Sequence, residues 1–307
     1  MIGTYTLSED ERAEVGAILG RIGQDAENLE EHRFLDRAPL LAHELPVGVR
    51  RAFLDFRLRE TTPCLLVTGN PIEPDDVGAT PTTHWRPGMD RPLNAAQQLH
   101  GLYTCLLGDP FGFASQQFGR VFNDLITLPG QPANASSGSG KICLHTEDCV
   151  KPFMPDYLGL ACLRNETGAQ SLVSSIRGMP LPEDVRDILF EPIFAQLGGG
   201  SRRPLLFGAP DQPYLRYGSI DAARCDERGQ RALRYLTALL SEAQRSVTLQ
   251  AGDSLYIDNF HAVHGRAPFE PRFGAHARWF SRIIVTRDLR RTRALRSAPE
   301  GRVMREP

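Results

Sequence analysis

The feature that most constrains the fold is a series of short apolar runs that begins at about residue 111. Turn residues separate these runs, which include KICLHTED, DYLGLACLR, AQSLVSSI, DSLYIDNF and ARWFSRIIVT. A parallel α/β sheet would need a helix between successive strands, so the pattern predicts an all-β sandwich or barrel. Helical spacing interrupts the series only at 183–194 and 226–242. We therefore expect a mainly β core with flanking helices.

The first 108 residues are predicted to be mostly helical. Ser8 and Glu11 make a capping box in front of apolar residues at helical spacing, so a first helix is expected to begin there. The same spacing predicts helices near 49–56 and over 93–107, whereas the apolar run 64–68 is typical of a short strand.

We interpret residues 1–307 as one domain in three parts. A mostly helical part (1–108) is expected to pack on a β core (109–293), and residues 294–307 are expected to form a tail. The arginines around this tail are interrupted by Asp288 and by apolar residues, which indicates a solvated helix or tail rather than a nucleic-acid-binding arm.

Composition and charge exclude several classes of function. Lysine plus arginine number 35 and aspartate plus glutamate 37, and the resulting charge of −2 offers no electrostatic footprint for nucleic acid or an anionic membrane. The acidic start MIGTYTLSEDER is not expected to be a signal peptide, and no apolar run suits a transmembrane helix. Six scattered cysteines without a CxxC pair predict reduced thiols. We expect a cytoplasmic protein, of undetermined oligomeric state, with no nucleic-acid or membrane partner.

His145 and Glu147 carry the sharpest chemical signal. They end a strand-like run, and residues i and i+2 of a strand point to the same face, so an imidazole and a carboxylate could bind one metal. An HxE triplet alone is more often a surface histidine and glutamate. The Ser/Gly-rich run 135–140, just upstream, is expected to be a flexible loop suited to a lid.

His264 could complete a metal site with His145 and Glu147. Two histidines and one carboxylate form the facial triad that is diagnostic of non-haem Fe(II) oxygenases. His261 is the alternative third ligand. Cys143 shares the strand face of His145 and leaves a zinc site open, but iron is favoured because the set that includes His264 has no thiolate.

Two arginines lie four residues apart in the apolar run ARWFSRIIVT. Arg278 and Arg282 are expected on one strand face, and buried arginines are rare unless they are paired with an anion. Internal salt bridges would satisfy them. Alternatively, each guanidinium could hold the carboxylate of a small molecule in a bidentate pair, such as a 2-oxo acid cosubstrate and an amino-acid substrate.

Three segments together resemble a known family. HTEDxxxxxxPDYLGLxCLRN, then AGDxLYIDNxxxVHGRxPFxxRF and RWxxR, are similar to the clavaminate-synthase-like branch of the Fe(II)/2-oxoglutarate-dependent dioxygenases, in particular to its free-amino-acid hydroxylases. The resemblance runs from about residue 109 to 293. It implies a double-stranded β-helix (jelly-roll) core, Fe(II), and 2-oxoglutarate and O2 as cosubstrates.

The resemblance also implies roles for single residues. Iron would be held by His145, Glu147 and His264. The family arginine that binds the distal carboxylate of 2-oxoglutarate matches Arg278, and a family threonine that assists it falls near Ser171.

The substrate residues follow in the same way. The family arginine that binds the substrate α-carboxylate matches Arg282, and a family glutamine that contacts the substrate amino group falls in 115–117, with Gln116 preferred. Glu147 is expected to contact the substrate as well. Asp148 is expected to support the ligand before it.

Two departures from the family affect the substrate. Relatives have an aromatic residue and a histidine where this chain has Val150 and Lys151. The arginine hydroxylases place two aspartates after the PYLR run to grip the guanidinium, whereas here only Asp221 is available, so arginine specificity does not carry over.

The sequence therefore predicts an Fe(II)/2-oxoglutarate-dependent oxygenase that hydroxylates a free L-amino acid, polar or cationic, in secondary metabolism. A desaturase or epimerase would share every ligand. A carrier-tethered amino acid as substrate, a zinc hydrolase on the same ligands and a non-catalytic jelly-roll binding protein stay as alternatives.

Overall fold

A computed structural model describes residues 2–25, 30–197 and 201–306 of the chain. The strands are, in chain order, β1 (Ile2–Thr6), β2 (Cys64–Thr68), β3 (Asp109–Phe113), β4 (Asn123–Ile126), β5 (Ile142–His145), β6 (Tyr157–Arg164), β7 (Ser171–Ser175), β8 (Leu206–Ala209), β9 (Gln212–Leu215), β10 (Arg245–Val247), β11 (Ser254–Asp258), β12 (Ala262–Arg266), β13 (Trp279–Thr286) and β14 (Val303–Met304). The helices are α1 (Glu9–Gly23), α2 (Glu31–Ala42), α3 (Val47–Arg59), α4 (Ala95–Leu107), α5 (Glu183–Phe190) and α6 (Glu227–Glu242).

Two sheets form the centre of the protein. The larger one has the order β1-β2-β11-β6-β13-β3-β14, with β4 paired to β13, and the smaller one has the order β10-β7-β12-β5. One apolar cluster takes side chains from both sheets, for example Leu160 from β6 and Val173 from β7. The two sheets therefore pack face to face, and the predicted mainly β core with flanking helices is confirmed.

Strand β6 shows why the sequence folds into layers. Its even-numbered residues, such as Leu158, face the smaller sheet, while the odd-numbered Ala161 and Leu163 pack against the N-terminal helices. Successive side chains of a strand point to opposite faces, so a strand that is apolar throughout needs a cover on both sides. Helices α1–α4 cover one face of the larger sheet, and the smaller sheet covers the other. The outer face of the smaller sheet is covered in turn by α5, α6 and the β8–β9 hairpin.

Most predicted helices form as expected, and two predictions need correction. Ser8 caps α1 in a capping box with Glu11. The second expected helix forms as α3 and the third as α4, which is capped by Asn94. Helix α5 is shorter than predicted and ends at Phe190. Helix α2 was not predicted, and it contains Pro39.

Both ends of the chain contribute strands to the larger sheet. Within residues 1–108, β1 and β2 belong to this sheet beside helices α1–α4, and β2, at the strand expected over 64–68, pairs with β11. Within residues 294–307, β14 pairs with β3, and Met304 is completely buried. Arg296, expected in solvated chain, is buried and donates to backbone carbonyls that include Gly301 O.

None of the helices in the described ranges combines the length and the apolar character that a bilayer crossing requires.

Candidate active site

Strands β5 and β12 bring two histidines together. His145, the last residue of β5, lies directly opposite His264 of β12 in an antiparallel pair, and their ring centroids are 4.3 Å apart. Glu147 follows β5 by two residues, and its Oε2 lies 3.2 Å from His264 Nε2. One ligand atom from each of the three residues lies within 4.8 Å of the others. The geometry offers two nitrogen donors and one carboxylate on one side of a metal.

The charge state of these groups suits a divalent cation. Burial by itself would raise the pKa of Glu147, but the Arg282 guanidinium and His264 hold that pKa well below its usual range. Burial also lowers the pKa of His264, so the imidazole is neutral near pH 7. A carboxylate and a neutral imidazole are the forms that bind metal. The buried His264 Nδ1 has no hydrogen-bond partner among the residues that the structure describes.

A cavity of about 240 Å³ lies beside the triad. It is lined by Leu125, Asn134, Ser136, Ile142, His145, Glu147, Leu160, Ser171, His264, Gly265, Arg266, Arg278 and Arg282. A groove of about 640 Å³ between Trp85 and Phe118 is larger, but no metal-ligating cluster occurs there among the described residues. The chemistry therefore points to the smaller cavity.

Arg278 is a buried cation without an anionic partner. It is only 6% exposed, its Nε donates to no acceptor, and within the described ranges no carboxylate lies at salt-bridge distance from it. Its guanidinium lies 4.0 Å above the centre of the Phe280 ring. Burial, followed by the charge of Arg266, lowers the pKa of Arg278 to about 9. Because an uncompensated buried charge is unfavourable, the cavity is built to receive an anion.

Arg282, in contrast, already has partners. It donates 2.7 Å to Glu147 Oε1 and 2.8 Å to Asn123 Oδ1, and it also donates to Gln116 Oε1. Gln116 Nε2 in turn donates 2.8 Å to Asp148 Oδ1. The internal salt bridge that the sequence left open is thus present, and an incoming carboxylate would share Arg282 with Glu147.

The Ser/Gly-rich run 135–140, which was expected to be a flexible loop, is bound through its backbone carbonyls to one arginine. Arg266, which is 4% exposed, donates to the carbonyl oxygens of Ser136 and Gly140 at 2.9 and 2.8 Å, and to those of Ala133 and Ala135. Ser137 is 2% exposed. One guanidinium thus binds several carbonyls of this loop, which we call the roof loop because Asn134 and Ser136 line the cavity.

The structure places the remaining predicted residues differently. Ser171 lines the cavity, whereas Asp221 does not. Asp221 is nevertheless close in sequence to Gly218, whose Cα packs against His145. His261 lies away from the triad and contacts Glu60 at 3.1 Å.

Cys143 is exposed and is not part of the metal-ligating cluster. Its carbonyl oxygen, not its sulfur, lies 2.9 Å from His145 Nδ1. The zinc alternative that rested on its thiol therefore has no support.

Three residues around the site were not found from the sequence. Asn123 contacts Arg282, Asn259 contacts the backbone of Glu147, and Arg266 holds the roof loop. Asn259 and Arg266 both belong to the motif IDNxxxVHGR, so the sequence marks the two positions. It does not show which groups their side chains contact.

Comparisons with known proteins agree with this geometry. The family model "Taurine catabolism dioxygenase TauD, TfdA family" matches residues 191–284. An enduracididine beta-hydroxylase of Streptomyces hygroscopicus is 32% identical over 98% of this chain and 99% of its own length. An L-ornithine/L-arginine 3-hydroxylase of Catenulispora acidiphila is 31% identical over 97% of this chain and 98% of its own. The crystal structure of the non-heme iron oxygenase OrfP in complex with Fe and alpha-ketoglutaric acid superposes with a TM-score of 0.87, at 30% identity, over 98% of this chain and 99% of that one.

Proposed function

Because the chain belongs to the Fe(II)- and 2-oxoglutarate-dependent dioxygenases of the TauD-related, clavaminate-synthase-like branch, we propose that it hydroxylates an unactivated C–H bond of a free L-amino acid. The amino acid is polar or cationic, and the setting is secondary metabolism. Succinate and CO2 are the co-products. The single observation that carries the proposal is a His–Glu–His cluster within 4.8 Å that shares its cavity with an unpaired buried arginine.

Iron is held by His145, Glu147 and His264. The donor set supports this assignment, because two imidazoles and one carboxylate without a thiolate form the facial triad of non-haem iron oxygenases. When bound, iron with 2-oxoglutarate and O2 supplies the oxidation that converts a C–H bond into a C–OH group.

The cosubstrate lies between the triad and Arg278. Its distal carboxylate neutralises the Arg278 guanidinium, which has no other anion at pairing distance among the described residues. Ser171 lines the same cavity and is only 5% exposed, so its hydroxyl is available to the same carboxylate.

The amino acid binds at Arg282, which holds its α-carboxylate, and its amino group lies near Glu147 and Gln116. In support, Arg282 already donates to Glu147 Oε1 and to Gln116 Oε1, so the three side chains are close together. A substrate anchored at both α-substituents presents one C–H bond to the metal, and such positioning gives selectivity.

Asp221 is assigned to a cationic substrate side chain because it follows Gly218, which packs against His145. Asp221 itself does not line the cavity, and Glu147 is the only carboxylate among the described residues that do. A screen must therefore include neutral amino acids beside arginine, ornithine and lysine.

The finer architecture is part of the proposal. We assign the two facing sheets to a double-stranded β-helix, or jelly roll, and residues 1–307 to one domain. The apolar cluster shared by the two sheets supports this assignment.

The test is incubation of anaerobically purified, Fe(II)-loaded protein with 2-oxoglutarate, O2 and each amino acid in turn. We expect succinate to form in step with a product that is heavier by one oxygen atom. A product that has lost two hydrogens would identify a desaturase, and turnover only with a carrier-bound amino acid would identify a tethered substrate. Metal binding without any succinate would contradict an oxygenase and leave a binding protein.

A further inference from the structure

The backbone of Glu147 lies outside both sheets. Strand β5 ends at His145, whose place is fixed by its pairing with His264. Glu147 begins the turn that follows, and Asp148 has a φ of 50°. The left-handed conformation breaks the extended backbone, so no neighbouring strand can hold Glu147 by ladder hydrogen bonds.

The side chain of Asn259 takes the place of that strand. Glu147 N–H donates 2.7 Å to Asn259 Oδ1, and Asn259 Nδ2 donates 3.1 Å to Glu147 O. Nδ2 also donates 2.9 Å to Pro155 O. Asn259 is fully buried. A carboxamide is both donor and acceptor, so it satisfies both backbone groups of one residue, as a paired strand residue does.

Asn259 is itself held by the turn that leads to His264. It follows Asp258, the last residue of β11, and its N–H donates 3.0 Å to Asp156 O. Asp258 Oδ1 accepts from Phe260 N–H at 3.0 Å and stiffens the same turn. The turn that connects β11 of the larger sheet to β12 of the smaller sheet therefore leads directly to His264 and positions Glu147 through Asn259.

We propose that Asn259 is a positioning residue that sets the distance between the Glu147 carboxylate and the two histidines. The inference rests on the proposed function, because it concerns the iron that these three residues hold. Supporting partners of metal ligands orient those ligands, and their loss typically weakens metal binding about 10- to 100-fold.

The chain offers a matched control in Asn165. Its Oδ1 accepts from Ala169 N–H at 2.9 Å, and its Nδ2 donates to Ala169 O and Leu249 O, both at 3.0 Å. The side chain makes the same three-bond clamp on one residue and one further carbonyl, but Ala169 is not a metal ligand. An alanine substitution there removes the same kind of contact without touching the triad.

The experiment compares Asn259→Ala, Asn259→Ser and Asn165→Ala with the wild-type chain. Co(II) is titrated into each metal-free protein without oxygen or 2-oxoglutarate, and its visible absorption gives the dissociation constant. Urea unfolding of the metal-free proteins measures stability separately. We expect Co(II) affinity to fall about 10- to 100-fold in both Asn259 variants and to stay at the wild-type value in Asn165→Ala.

Three results would overturn the proposal. Folded Asn259 variants could bind Co(II) like the wild type, Asn165→Ala could lose as much affinity, or both Asn259 variants could fail to fold while Asn165→Ala folds, which would make Asn259 a determinant of the fold. A wild-type chain that binds Co(II) but forms no succinate contradicts the proposed function alone.

Discussion

Replacing Arg278 with methionine should make the ligand-free protein more stable and abolish tight binding of 2-oxoglutarate. The pKa of Arg278 falls to about 9 because of burial and the nearby Arg266 charge. A depression of this size corresponds to an unfavourable free energy on the order of 5 kcal/mol for the charged guanidinium in the folded state. Methionine is shorter than arginine, but its flexible and polarizable thioether suits packing near the Phe280 ring, so it removes the charge and fills much of the vacated space.

The net effect on stability is smaller than the charge penalty, since the cation–π contact is lost. We expect the free energy of unfolding to rise by about 1–3 kcal/mol, as happens when buried charges are replaced by apolar residues. Binding changes in the opposite sense. Without Arg278 the distal carboxylate of 2-oxoglutarate is buried without a partner, which costs about 3–5 kcal/mol and raises its dissociation constant about 100- to 4,000-fold.

Arg266→Met is the matched control. Arg266 lines the same cavity and is equally buried, but its guanidinium bonds to carbonyls of the roof loop. Its loss leaves those carbonyls unsatisfied, at about 1–3 kcal/mol each, so this variant should be less stable than the wild type.

Urea unfolding of the metal-free proteins gives the stabilities, and calorimetric titration of 2-oxoglutarate into the Fe(II)-loaded proteins without oxygen gives the affinities. The reasoning is refuted if Arg278→Met is destabilised as strongly as Arg266→Met. It is equally refuted if Arg278→Met binds 2-oxoglutarate like the wild type.

Three further substitutions test other parts of the site. Arg282→Lys should raise the KM for the amino acid about tenfold or more, because one ammonium cannot replace a guanidinium that contacts Glu147 and two side-chain amides. The affinity for 2-oxoglutarate should stay unchanged, and a change in it would contradict the assignment. Cys143→Ser should leave Fe(II) affinity unchanged because the exposed thiol does not contact His145, and a loss of affinity would restore a thiolate ligand. Burial raises the pKa of Asp258 to about 7, so the folded state binds more protons than the unfolded state between about pH 4 and 7. The free energy of unfolding therefore falls as pH rises through this range. Asp258→Asn should flatten this pH dependence in urea unfolding, and an unchanged pH dependence would place its origin elsewhere.

The order of the main elements could be predicted from apolar periodicity, but strand ends and pairings could not. Strand β14 has only two residues, and β1 (Ile2–Thr6) carries no apolar run, so neither shows a strand pattern; each pairs with a neighbouring strand. Helix α2 was missed because it contains Pro39, and a proline usually ends a helix.

The candidate site shows the same division between local pattern and distant contact. His145 and Glu147 do converge, but the strand argument explains only part of it, since β5 stops at His145 and Asn259 places Glu147. Arg278 could be predicted, because a cation inside an apolar strand is visible in the sequence. The roof contacts of Arg266 could not be found, since backbone carbonyls leave no trace in residue identity.

The pairing of His145 with His264 has a consequence for the order of events in the cell. The two histidines lie on either side of the middle of the chain, and they meet only when β5 pairs with β12. A polypeptide still being synthesised therefore has no complete metal centre until the segment that carries β12 has left the ribosome. Assembly of the three-ligand centre therefore waits for β12, and a fragment that stops before β12 has only His145 and Glu147 of the triad.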